Sequence, residues 1–143
     1  MYSCPACNAP DIGGRSVCHC GADLSLLRSL EALPDVWFNE ALRHLDAGRP
    51  GRALEYLAAC CTARPTDAAA LRVLAQAWLL LDRWREAGDA LRRASELEPD
   101  APGLPRLQAA LTAVRRQGLR QAWATRPATQ RKRPTPHRRL RHG

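Results

Sequence analysis

The chain is 143 residues long, 45% hydrophobic and 25% charged, with 22 Lys and Arg against 14 Asp and Glu for a formal net charge of +8. That length holds one small compact domain with appendages, not a two-domain enzyme. The apolar runs, such as Ala77-Trp78-Leu79-Leu80-Leu81, are far short of the roughly 20 residues that cross a bilayer.

The charge is divided along the chain. Residues 1–100 carry eleven Arg and all fourteen carboxylates, a net −3, whereas residues 101–143 carry ten Arg and Lys132 with no acid, a net +11. The start, Met1-Tyr2-Ser3-Cys4, has neither a basic nor an apolar leader region, so the expected location is the cytoplasm. Six cysteines then read as metal ligands or buried thiols in preference to a disulfide framework.

Residues 1–23 hold four Cys, three Gly and two Pro with almost no apolar periodicity. Such a segment cannot bury a core and needs another source of order. Cys4-Pro5-Ala6-Cys7 and Cys18-His19-Cys20-Gly21 are separated by ten residues, and two short cysteine turns facing each other supply the four soft ligands of a tetrahedral structural zinc. The segment resembles a short zinc ribbon, and Gly21 and Leu24 fit that pattern. Asn8 stands where the first knuckle usually has Gly, and the second knuckle has one residue between its cysteines where two are usual. The expected ligands are Cys4, Cys7, Cys18 and Cys20. Whether His19 replaces one of them stays open at this level, as does the alternative of free or redox-active thiols.

Residues 24 to about 100 are rich in Leu and Ala with apolar residues three and four apart, which predicts consecutive helices. Residues 24–33 read as a linker or leading helix. Beyond them the sequence repeats itself: Ala53 recurs as Ala87, Leu57 as Leu91 and Pro65 as Pro99, each at a spacing of 34. A fixed period of that length is the signature of stacked helix pairs. Gly48 and Gly51 are expected to break the first pair and Asp82-Arg83 the second, while Pro65 and Pro99 end each unit.

On these residues, 34–101 resembles two tetratricopeptide repeats, 34–67 and 68–101. The signature positions fall on Trp37, Ala41, Ala53, Leu57, Cys60 and Pro65, then on Leu71, Leu74, Ala75, Trp78, Ala87, Leu91, Ala94 and Pro99. Glu40 and His44 depart from the Leu and Tyr the family usually has. Small residues at Ala41, Ala75, Ala53 and Ala87 let paired helices approach closely. Cys60 takes a position usually filled by Ala, where a free thiol behaves as a small hydrophobe; Trp37, Trp78 and Trp84 read as packing between helices. The resemblance implies a concave partner groove lined by Phe38, Leu42, Leu45, Arg72, Gln76, Leu79 and Leu80. The positions with which chaperone-binding members hold a C-terminal carboxylate read Phe38, Leu42, Val73, Gly103 and Leu107. None suits a carboxylate.

Residues 102–123 form one more amphipathic helix, with Leu104, Leu107, Ala110, Leu111 and Val114 on one face, in the role of a terminal cap. From 124 to 143 the pattern fails, leaving a basic Pro- and Arg-rich tail with Arg126, Arg131, Lys132, Arg133, Arg138, Arg139 and Arg141, and with Trp123 just before it. That composition predicts disorder in isolation. The expected fold is therefore mainly α: a zinc-ribbon-like knuckle, a two-repeat α-solenoid, a capping helix and a disordered tail.

No Ser, His and carboxylate set and no Gly-rich phosphate loop is present. The expected function is a non-catalytic adaptor, an accessory subunit that binds protein through the groove and an acidic surface of a larger complex through the tail, with neither membrane nor small-molecule substrate. The rival is a nucleic-acid-associated protein whose tail contacts phosphate. Against it, the knuckle has only Arg15 to set against Asp11 and Asp23, a poor charge balance for binding a polyanion.

Overall fold

The computed structural model describes residues 3–10 and 15–124. Among these residues five helices follow one another: α1 Ser25–Asp46, α2 Pro50–Ala63, α3 Ala68–Leu80, α4 Trp84–Leu97 and α5 Leu104–Ala124. Each packs on its sequence neighbour through α4, and α5 lies against both α3 and α4. The basic tail and the side chain of Trp123 lie outside the described residues.

The 34-residue period is visible in the backbone. Gly48 at φ 67° and Asp82 at φ 57° occupy the same left-handed turn position one period apart. Glycine adopts it without steric cost, and the short polar side chain of Asp tolerates it. Arg49 and Arg83 precede α2 and α4, and Arg64 and Glu98 follow them, again 34 apart. Gly51 departs from expectation, since it lies within the first turn of α2 and not in the break. Pro50, at the first helical position, starts that turn without losing a hydrogen bond.

Packing repeats as well. Ala41, Ala53, Leu57 and Cys60 in the first pair, and Ala75, Ala87, Leu91 and Ala94 in the second, are all buried. Short side chains at the helix crossings let Leu57 and Leu91 fill the space between backbones. Ala70 and Ala77 are fully buried beneath the first pair. One period earlier, Val36 and Arg43 are exposed, because no helix pair precedes them among the described residues.

Two features differ from a strict two-repeat reading. First, α1 runs unbroken through Pro34, so residues 25–33 are its N-terminal turns and no separate linker lies there. Pro34 has no N–H and leaves the Leu30 carbonyl without its intrahelical donor. Nearby, the Arg64 guanidinium spans the same region of the helix, donating to the Glu31 carbonyl at 3.0 Å and pairing with Asp35 at 2.5 Å. Second, α5 stands one period after α3, with Leu104 and Leu111 in the places of Ala70 and Ala77. It occupies the place of the first helix of a third unit, and Leu104, Leu107 and Leu111 pack around Ala75, Ala90 and Leu91.

Candidate metal centre and partner groove

The knuckle is held by its own backbone. Cys4 N–H donates to Ala9 O and Asn8 N–H to Cys4 O, while Cys18 N–H donates to Ala22 O and Gly21 N–H to Cys18 O. Asn8 at φ 55° and Gly21 at φ 86° supply the left-handed turn in each half, so Asn here performs the task of the usual glycine. Antiparallel bridges Ser3–Pro10 and Val17–Asp23 close the two halves. Leu24 N–H to Ser16 O and the Arg28 guanidinium to Arg15 O then fasten the knuckle to the start of α1.

This arrangement brings the sulfur atoms of Cys4, Cys7, Cys18 and Cys20 within 4.8 Å of one another. They pair across the knuckles, Cys4 with Cys20 and Cys7 with Cys18, each at 3.6 Å. A tetrahedron of thiolates about 2.3 Å from a central zinc has edges of about 3.8 Å, so the four positions fit a single ion. Two backbone N–H groups, of Ala6 and Cys7, point at Cys4 and bring its thiol down to about 7. Ala9 N–H does the same for Cys7, but desolvation and the neighbouring thiols outweigh it and push that group up to about 12. Cys18 receives the N–H of Cys20, yet burial and the adjacent sulfurs raise it. Four thiols held this close resist ionising together unless a cation is among them. His19 Nδ1 sits 3.5 Å from Cys18 Sγ, beside the cluster as a hydrogen-bond partner of that sulfur, while the four converging ligand atoms are all cysteine sulfurs.

The expected groove residues divide between two environments. Phe38 and Leu45 are half-buried against the core of Ala41, Ala53, Leu57 and Ala77, and so stabilise the α1–α2–α3 junction from inside. Leu42 is half-buried on α1. By contrast Arg72, Gln76, Leu79 and Leu80 of α3 line an open groove of about 620 Å³ whose other wall is Pro102, Gly103, Arg106, Leu107, Ala110 and Val114 of the α5 region. Sequence reasoning places Ala110 and Val114 on the apolar face of the capping helix, but it assigns neither them nor Arg106 to the groove. The signal was available: they stand 34 residues after Arg72, Gln76 and Leu80.

The remaining candidates serve packing. Cys60 is buried and its thiol is raised by desolvation; Cys61, half-buried, is pushed up to about 11 by the same cause. Both are thus poor nucleophiles at neutral pH. Trp84 is flanked by the guanidinium groups of Arg85 and Arg115, 5.1 Å and 5.6 Å from its ring centre. A Cβ at Gly118 would lie 3.3 Å from the Trp84 indole nitrogen, so glycine there gives the ring its seat on α5. His44 stacks on Tyr56 with ring centres 5.4 Å apart, and its Nδ1 is buried without a partner.

Two helix hairpins in a 34-residue register, closed by a fifth helix and preceded by four thiols close enough to bind a metal ion, define a small helical-repeat protein with a cysteine knuckle. Residues 44–113 match the family model described as tetratricopeptide repeat, and across that stretch the chain is similar to a tetratricopeptide repeat array. The matched region extends into α5, in keeping with its place as the first helix of a further unit. No curated protein matches the chain. Tetratricopeptide repeats mediate protein–protein interactions and are typically non-catalytic. No helix among the described residues is long and apolar enough to cross a membrane.

Proposed function

We propose that this protein is a non-catalytic cytoplasmic adaptor, an accessory subunit that holds a partner protein in the groove between α3 and α5 and docks on an acidic surface of the same assembly through its basic tail. The observation that carries this reading is the groove itself. Leu79 and Leu80 project from α3 toward an opening that no other element among the described residues fills, and Leu80 is 57% exposed. A soluble surface gains nothing by keeping such residues in water unless a partner covers them.

The knuckle supports the adaptor structurally. In this reading Cys4, Cys7, Cys18 and Cys20 hold one zinc ion. Four protein ligands leave no open coordination position, so the ion supplies folding energy and no chemistry. Six free thiols also suit a reducing compartment.

The test is affinity capture from the native host with three forms of the chain: wild type, Leu80→Glu and a truncation after Thr125. Loss of one defined partner set with Leu80→Glu, and reduced recovery of the same set with the truncation, is the expected pattern. Recovery unchanged by both alterations refutes the adaptor reading. Capture of nucleic acid that disappears with the truncation alone favours phosphate binding by the tail.

A further inference from the structure

The groove between α3 and α5 is of one sign. Its floor is apolar, with Val73, Leu79, Leu80, Leu107 and Val114, and its two charged side chains are Arg72 and Arg106. Among the described residues no carboxylate lines it. Outside the groove, α5 continues the same field: Arg115, Arg116 and Arg120 are exposed, and no acid occurs after Asp100.

Arginines elsewhere in the fold are largely matched. Arg43 pairs with Glu40, Arg52 with Glu55, Arg64 with Asp35 and Arg92 with Glu96. Arg72 is also paired, to Glu98 at 2.7 Å. Among the described residues no carboxylate lies within ion-pair distance of Arg106, Arg116 or Arg120. An apolar floor beside an unneutralised guanidinium calls for an occupant with both apolar side chains and negative charge.

Building on the adaptor reading above, we propose that the occupant is an acidic amphipathic peptide segment of a partner protein. Its leucine-type side chains cover Leu79, Leu80 and Leu107, its carboxylates face Arg106, and the arginines along α5 draw it in. Other occupants meet physical objections. The chain's own residues 125–143 carry seven Arg and Lys and no acid, and a second copy would present the same arginine rim. A nucleic acid would satisfy the arginines but not the floor, which has no aromatic side chain for a base to stack on.

The test uses a phage-displayed library of random peptides selected on the full chain, with the enriched peptides then synthesised and their affinity measured against groove variants. Enriched sequences should combine Asp or Glu with Leu, Ile, Met or Phe, and bind more weakly as salt rises. Arg106→Glu and Leu80→Glu should each weaken them by about tenfold or more. Arg52→Glu, away from the groove, should leave binding within about twofold. The variants alter exposed side chains, so unchanged helical circular dichroism shows that folding is intact. Neutral or basic peptides that still require Leu80 would overturn the acidic chemistry and leave the adaptor reading standing. Absence of enrichment, or binding indifferent to both groove variants, would overturn this proposal and the groove's role together. Sedimentation showing a dimer that Leu80→Glu dissociates would also overturn it, by giving the groove to a second copy.

Discussion

Leu57→Ala probes the junction on which the whole array depends. Leu57 is fully buried with Ala41, Ala53 and Ala77, where α2 meets α1 and α3. The substitution removes three carbon groups, worth about 0.8 kcal/mol each, or about 2.4 kcal/mol in transfer alone. A cavity adds to that loss, because the fully buried neighbours are alanines that cannot fill it and the larger side chains around them, such as Phe38 and Leu45, can relax into it only in part; fully buried Leu→Ala changes cost about 2.7–5.0 kcal/mol. We expect a loss of about 3–4 kcal/mol, which for a helical body of this size lowers Tm by about 12 °C or more. Thermal unfolding followed by far-ultraviolet circular dichroism measures it. Leu80→Ala, on the exposed groove wall, is the control and should change stability by no more than about 0.5 kcal/mol. A Leu57→Ala protein melting within about 3 °C of wild type would show that the helix pairs do not pack as described.

The cysteine cluster and an interhelical ion pair yield the other two predictions. A chelator, or Cys4→Ser, should collapse the amide chemical-shift dispersion of residues 3–24 while helical circular dichroism persists, because among the described residues of the knuckle and its junction with α1 only Cys4 and Leu24 are buried; elemental analysis of the untreated protein should give about one zinc per chain. Dispersion untouched by chelation argues against a metal. The Arg64 guanidinium beside Asp35 holds that carboxyl below its usual range. A depressed native pKa stabilises the fold above the unfolded-state value of about 3.9 and loses that contribution as pH falls through the native value. Wild type and Asp35→Asn should therefore differ in stability by a constant amount from pH 5 to 7 and converge below about pH 4. A difference that grows on acidification has the wrong sign for this pair.

Much of the fold is legible in local pattern. The recurrences Ala53 to Ala87, Leu57 to Leu91 and Pro65 to Pro99 each depend on contacts within one helix pair, and such contacts recur wherever the pair recurs. The two cysteine turns likewise mark the candidate ligands, but ten residues between the turns can span more than about 30 Å, so the convergence of the four sulfurs, with His19 outside that set, is a property of the folded knuckle. The separation of −3 from +11 follows from reading the chain in order.

The sides of the groove are a different matter, because they depend on contacts between pairs. Phe38, Leu45, Leu79 and Leu80 look alike in the one-dimensional pattern, yet the first two turn into the α1–α2–α3 core and the last two face an opening. Only the packing of α5 on α3 and α4 makes that opening a groove and places Arg106 on its rim. In the same way, the continuity of α1 through Pro34 comes with tertiary burial of that ring and the reach of Arg64 from α2, against the local tendency of proline to end a helix. Helical periodicity relates residues three and four apart. Which helix covers which face is settled by side-chain volume across the interface, and that exists only once the chain has folded.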